Sequence, residues 1–432
     1  ATRDRVFRFA GRTRAGVEKG ATGAPLTDVV AIGIGGSSLG PACVHEALRS
    51  EPACAAAAAG RSLRFVANVD PVDLARALDG LDPATTLVVV VSKTFTTRET
   101  MTNAALAKTW LVDALGEAGA SKHLAAVSSD VQRATAFGVP ADRVFGFADS
   151  VGGRYSLWSP VGLLPLALQY GAAPARRLLE GARDADEHFR SAPLEENLPV
   201  VLAVLGFFNS RVLGHGCRAI LPYAEALSKF PAHVQQLDME SNGKGVDVEG
   251  RPLAYDAGEV IFGAVGTNGQ HSFYQLLHQG RVVPAEFIGA CESQAPRAAK
   301  GAKRSSHDEL FCNFLAQPDA LALGAVDAER PERACPGDRP SLSLLLPRVD
   351  AYYVGALLAL YEHRVAVQGW LYGANSFDQF GVQLGKTLAD TVAAALPGGA
   401  AADALNSSTR GLLDRYRRHA RARIEALAAG TN

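Results

Sequence analysis

Residues Val29–Pro41 read VVAIGIGGSSLGP, and this stretch decides the fold. An unbroken β-branched and apolar run ends in a Gly/Ser turn, and residues able to start a helix follow. Apolar on both alternating faces, such a run suits a strand covered on both sides, which is the situation in a parallel sheet. The pattern recurs further along the chain. Arg64–Val69 (RFVANV) precedes Asp70-Pro71 and a helical pattern, and Thr86–Val91 (TLVVVV) runs into a Ser/Thr-rich turn and a helix through Leu111. His123–Ser128 and Arg143–Phe147 complete the set. A helical stretch spans Ser159 to Leu213, and then a second alternation begins. It comprises Cys217–Leu221, a helix around Ala224–Met239, Val260–Val265, a helix after Gly269 and Val282–Ile288. Helical patterns occupy Pro347–Gln368, Phe377–Ala394 and Ser408–Leu427. The expected class is α/β, with two doubly wound units whose parallel sheets are flanked by helices, plus a helical C-terminal tail. The expected boundaries are an N-terminal segment 1–25, a first unit 26–165, a helical connection 166–194, a second unit 195–385 and a tail 386–432. In such folds ligands gather at the carboxyl ends of the strands.

Composition narrows the function. The chain has 432 residues, enough for about two to three domains. It is 48% hydrophobic and 20% charged, with a net charge of −1. That balance lacks the basic footprint of a nucleic-acid or anionic-membrane binder. The one basic run, Arg415–Arg423 (RYRRHARAR), reads as a solvated helix face. Six scattered cysteines without a C-x-x-C suggest neither a disulfide framework nor a zinc site. The longest apolar run, Leu198–Phe208, is well short of the roughly 20 residues a membrane span needs, and the opening residues carry no signal-peptide core. A cytoplasmic address is expected. The basic residues are nine Lys against thirty-four Arg, a drift toward Arg and Ala seen also in Ala55–Ala59 and Ala400–Ala402. Each surviving Lys therefore invites the question of why Arg would not serve there.

The turns carry the chemistry. Gly33-Ile34-Gly35-Gly36-Ser37-Ser38 would be a dinucleotide fingerprint only with Gly at position 38, so NAD is disfavoured. Its glycines allow close backbone approach and its hydroxyls suit a phosphate or a sugar hydroxyl, although a plain structural turn explains the glycines as well. Ser92-Lys93-Thr94-Phe95-Thr96-Thr97-Arg98-Glu99-Thr100 gathers donors before a helix start, which suits a phosphate monoester better than a single capping hydroxyl does. Gly152-Gly153-Arg154 can present an arginine to an anion that develops during a reaction, or be a surface turn. In Gln235–Lys244 (QQLDMESNGK), Gln236 and Glu240 are four apart and share a helix face. Glu240 stands at a helix end, where no dipole supports its charge, as a general base working near neutral pH requires, although an isolated Glu there is ordinarily a solvated residue before a turn.

His271 follows the Gly-rich Gly266–Gly269 and is expected in a helix's first turn, which would keep its ring neutral, with His278 on the same face. No metal motif emerges, since His45-Glu46 is followed by Arg49 where a zincin needs His. Phe377–Thr387 (FDQFGVQLGKT) imitates a phosphate-binding P-loop but has Phe380 where Gly is required, which leaves Lys386 to explain.

Taken in order, IGIGGSSLGP, SKTFTTRET, VGGRYSLWS, QQLDMESNGKG, GTNGQHSFYQLLHQG, FDQFGVQLGK and NSSTRGLLDRY resemble the phosphoglucose isomerase family over roughly residues 20–415. The resemblance implies an aldose–ketose isomerase with two sugar-isomerase (SIS) subdomains, no cofactor, no metal and a homodimer. It implies that Ser37, Ser92, Thr94 and Thr97, with Lys93 and Gly153 nearby, hold a sugar phosphate. Glu240 would move a proton between C2 and C1 through a cis-enediol, Arg154 would stabilise its negative charge, and Gln236 would position the sugar. Lys386 and His271 would assist ring opening, with His271 reaching across the dimer interface. Ser38 stands where many members carry Asp, and longer members extend further on the N-terminal side, so residues 1–25 are expected to be cut short. The competing expectations are another SIS isomerase acting on mannose or amino-sugar phosphates, and a sensing module without catalysis.

Overall fold

A computed structural model describes residues 2–397, 402–403 and 405–428, with side chains to residue 420. Within Ala400–Ala402 only Ala402 is described, and the side chains of Arg421–Arg423 lie outside the described residues. The chain divides into two compact units, Ala1–Ser376 and Phe377–Asn432.

The first unit holds two sheets. Strands β1 (Asp28–Ile32), β2 (Ser62–Val66), β3 (Thr86–Val91), β4 (Leu124–Val127) and β5 (Val144–Phe145) form an all-parallel sheet in the order β2-β1-β3-β4-β5. Strands β6 (Cys217–Pro222), β7 (Val260–Gly263), β8 (Ala285–Glu292) and β9 (Ser341–Arg348) form a second parallel sheet in the order β7-β6-β8-β9. The unbroken apolar strands arise because both faces are covered. Leu87, Val89 and Val91 point into one core with Phe7, Phe9 and Leu164, whereas Val88 and Val90 point into another with Leu74, Ala104 and Leu111. A further core joins the halves, packing Val44 and Leu166 against Ile220, Ile288 and Leu358.

Three elements depart from expectation. The helix Thr2–Arg14 buries Val6, Phe7, Phe9 and Ala10 beneath the first sheet. The helix Ser306–Leu323 opens with a capping box in which Ser305 and Asp308 satisfy each other's backbone N–H groups. β9 occupies the edge of its sheet, with alternate residues exposed and Pro347 near its end. Proline tolerates an edge because it has no N–H to donate to a neighbour. The long helix beyond it therefore starts at Ala351, capped by Asp350, and runs to Leu371.

The second unit contains the helices Gln383–Ala395 and Ser407–Ala428, with Ala395, Leu405 and Leu413 as its small core.

Candidate active site

In the first sheet, β2 lies on one side of β1 and β3 on the other, so a crevice opens beyond the carboxyl ends of β1 and β3. The turns that end those two strands are Gly33–Ser38 and Ser92–Thr97. The loop after β1 meets the turn Gly153–Tyr155 backbone to backbone: a Cβ on Gly36 would lie 2.0 Å from the carbonyl of Gly153 and 2.5 Å from the nitrogen of Arg154. Only glycine fits there. Ser156 Oγ donates to the Gly153 carbonyl at 2.7 Å and stiffens the turn. Gly35, at φ +60°, lies against the amide of Gln236, 3.1 Å from where its Cβ would be.

Arg154 is thereby carried, 3% exposed, into a cluster with the Gln236–Asn242 segment. Its Nε donates to Ser241 Oγ at 2.7 Å, and Nη1 lies 3.3 Å from Glu240 Oε2. Gln236 Nε2 donates to the same Glu240 oxygen at 3.1 Å, as their four-residue spacing anticipated. The helix is not a plain α-helix here. An α-helical turn, Phe230–Val234, widens into a π-helical turn, Gln235–Met239, before Glu240–Asn242 ends it. Such wide turns recur at functional sites, where they re-aim a side chain. Gln236 Oε1 is buried and has no hydrogen-bond partner among the described residues, an acceptor suited to a ligand hydroxyl. Lys244 Nζ donates to the Glu240 carbonyl at 3.0 Å.

The loop after β3 gathers its hydroxyls as expected. Ser92 Oγ donates to Thr97 Oγ1 at 3.3 Å, and the Thr94 and Thr96 hydroxyls lie 2.6 Å apart. Phe95 holds this loop in an unusual shape, with φ +54° and its ring buried edge-on against Phe137. A left-handed aromatic residue costs on the order of 1–3 kcal/mol, which burial of the ring offsets. Lys93 departs from the simplest picture, since its ammonium donates to the carbonyls of Asp149 and Val151 and so ties the loop after β5 to this one.

His271 needs a correction. It is not in a first helical turn, because the short helix Gly266–Gln270 precedes it and His271 caps that helix's end, exposed to solvent. The glycines that read as a loop lie inside the helix: a Cβ on Gly266 would strike the Tyr223 ring at 2.5 Å. The N-terminal dipole therefore does not act on His271, and His278 belongs to a separate helix, Tyr274–Gln279, bonded to Gln317. No hydrogen bond or ion pair joins His271 to Glu240 among the described residues. Lys386 lies exposed on the helix Gln383–Ala395 of the second unit. No His, Cys, Asp or Glu cluster suited to a metal ion occurs among the described residues.

Beneath the Glu240 segment lies a buried ionic network. Arg218 on β6 bonds Glu286 on β8 at 2.9 Å, contacts Asp238, and lies 3.5 Å from Glu259. Arg364 and Tyr361 close on Glu286 from the long helix. Burial alone would raise the Glu286 carboxyl, but the two guanidinium groups overcome it and hold it down at about 2. One charged residue in each of two otherwise apolar stretches, CRAILP and the AEFIGAC part of β8, is the sequence signal that could have revealed this pairing.

The model of a known family, phosphoglucose isomerase, matches residues 1–413. The chain belongs to the phosphoglucose isomerase family. Among curated relatives, the cytosolic glucose-6-phosphate isomerase of Arabidopsis thaliana is 53% identical over 427 residues, covering 96% of this chain and 76% of the relative. That of Spinacia oleracea is 54% identical, with 96% and 75% covered. Among solved structures, a glucose-6-phosphate isomerase from Chlamydia trachomatis superposes with a TM-score of 0.83 at 37% identity, covering 96% of this chain and 76% of that one. A hypothetical protein from Thermus thermophilus superposes with a TM-score of 0.73 at 31% identity, covering 91% and 90%. The two sheets are thus the paired SIS subdomains of a phosphoglucose isomerase. Among the described residues no helix is long and apolar enough to cross a membrane.

Proposed function

We propose that Glu240 is the catalytic base of this glucose-6-phosphate isomerase. The observation that carries the reading is the convergence of Arg154 Nη1 and Gln236 Nε2 on one Glu240 oxygen beside the crevice loops. Aldose–ketose isomerisation removes a proton from carbon next to a carbonyl, so it needs a positioned base and charge stabilisation at the adjacent oxygens. Glu240 takes the proton from C2 of glucose 6-phosphate and returns it to C1, passing through a cis-enediol. Arg154 offsets the charge that builds on the enediol oxygens, and Gln236 orients the sugar through its unpartnered carbonyl oxygen. Ser37, Ser92, Thr94 and Thr97 hold the phosphate, with Lys93 and Gly153 shaping the loops around it. The phosphate does not react, so its binding supplies orientation. Lys386 and His271 assist ring opening. No cofactor enters, and the setting is cytoplasmic, in line with the names of the relatives.

The test is a coupled assay of fructose 6-phosphate to glucose 6-phosphate conversion, comparing the wild type with Glu240→Gln. The variant is expected to bind sugar phosphate with near-normal affinity and to lose about 10³-fold or more in kcat. Equal turnover in the two proteins would refute the assignment.

The chain acts as a homodimer in which the partner subunit's His271 completes each site. This reading is supported by the exposure of His271 and its lack of a bond to Glu240 within one chain. Mixing Glu240→Gln with His271→Ala subunits then regenerates one intact site per mixed dimer, so about a quarter of wild-type activity should return. No recovery after verified subunit exchange would exclude the shared site.

A further inference from the structure

Arg154 has an anchor that no role above explains. Its Nη2 donates to the main-chain carbonyl of Ser376 at 2.5 Å, across 222 residues of chain. Ser376 is itself 3% exposed and held on its other side: its Oγ donates to Asn242 Oδ1 at 2.8 Å. Asn242 is fully buried, and its Nδ2 donates to Asp238 Oδ1 at 3.2 Å and to the Val365 carbonyl at 3.1 Å. Both hydrogens of that amide and its oxygen are therefore used, which fixes the orientation of the side chain.

A second observation shows that the fold makes room for this arrangement. Gly369 lies in the last turns of the long helix Ala351–Leu371, where glycine is less favourable than alanine. A Cβ on Gly369 would lie 1.8 Å from Ser376 Oγ and 2.8 Å from Asn242 Oδ1. The glycine thus gives up helix stability and leaves space for one hydroxyl and its acceptor.

We propose that Ser376 is a positioning residue for the isomerase reaction, acting on Arg154 through its main-chain carbonyl while Asn242 and Gly369 lock its side chain. Ser241, Glu240 and the Ser376 carbonyl all help hold the guanidinium. Loosening the Ser376 contact weakens the hold on Nη2 in the plane in which Nη1 faces Glu240. Charge stabilisation in the transition state depends on donors already aimed, so loosening Arg154 lowers kcat and leaves phosphate affinity in place. Ser376 touches neither the base nor the phosphate loops in any bond described above.

The proposal rests on the reading of Arg154 as the charge stabiliser, and a double-mutant cycle separates the two. Ser376→Ala keeps the carbonyl and removes the lock, and is made in both the wild-type and the Arg154→Lys backgrounds. With Arg154 present, Ser376→Ala is expected to lower kcat about tenfold with KM for fructose 6-phosphate changed less than about twofold. In the Arg154→Lys background, where no Nη2 remains to be held, the same change is expected to cost less than about twofold. Gly369→Ala, which leaves Ser376 in place and pushes on the same hydroxyl, is the second variant if the first fails to fold and should reproduce the kcat loss. Equal factors in both backgrounds, or a rise in KM with kcat intact, would overturn the positioning role. An unchanged kcat in Arg154→Lys alone would instead sink the reading of Arg154.

Discussion

Gly36→Ala tests whether the backbone contact between the two site-bearing segments governs turnover. The added Cβ would lie 2.0 Å from the carbonyl of Gly153, whereas ordinary contact begins near 3.4 Å. The obstacle is main chain, so no side-chain rotation relieves it. The Gly153–Arg154 segment or the loop after β1 must withdraw by roughly 1.4 Å, and the turn is braced against doing so by Ser156. A misplacement of about 1 Å in a catalytic group can cost about 10²-fold in rate. The variant is therefore expected to show a kcat about 10²-fold lower, with its far-UV circular dichroism unchanged. The assay couples glucose 6-phosphate formation to a dehydrogenase. Gly40→Ala is the control: four residues on, its Cβ would make only ordinary contact, 3.6 Å from Leu157, and activity should stay within about twofold. A Gly36→Ala enzyme within about threefold of wild type, by the same assay, would show that the contact yields without moving Arg154.

Two further perturbations address the loop and the pH response. Phe95→Ala removes a buried ring and is expected to lower unfolding free energy by about 3 kcal/mol and to raise KM as the loop proposed to bind phosphate loses its anchor. A denaturant midpoint and KM both matching wild type would contradict that. Glu362 concerns pH: burial, which outweighs the hydrogen bond donated by Trp158, pushes its carboxyl up to about 8. Between the ordinary range near 4.5 and that value the folded chain keeps a proton that the unfolded chain has lost, so this group makes stability fall as pH rises. Glu362→Gln cannot ionise, and its melting temperature should gain on wild type from about pH 5 to about pH 8 and hold steady above. Each pH unit of that window is worth at most about 1.4 kcal/mol, and parallel curves would refute the assignment.

Local physics accounts for what can be read in the chain directly. Thr86–Val91 reads as a strand and is one residue for residue, because a buried parallel strand leaves an unbroken β-branched run. The Gln236–Glu240 pairing is legible for a related reason, as a four-residue spacing holds whether the turn is α or π. What is not legible depends on distant residues. β9 is hidden because its Pro347 reads as a helix start until an edge position makes it tolerable. The sequence pattern puts His271 at the wrong end of its helix because Gly266 looks like a loop until the Tyr223 ring is seen against it. The capping box at Ser305 and Asp308 is in plain sight, and the helix it starts could have been found. Nothing local to Gly36 or Ser376 announces that they meet residues more than a hundred positions away.

Several holdfasts of this site are main chain. Carbonyls of Asp149 and Val151 hold Lys93, that of Ser376 holds Arg154, that of Glu240 holds Lys244, and Gly36 presses on a bare peptide. Peptide groups are the same whatever residue bears them. Residues that contribute only a carbonyl, such as Asp149 and Val151, tolerate a change of side chain, whereas Gly36 and the side chains that lock Ser376 do not.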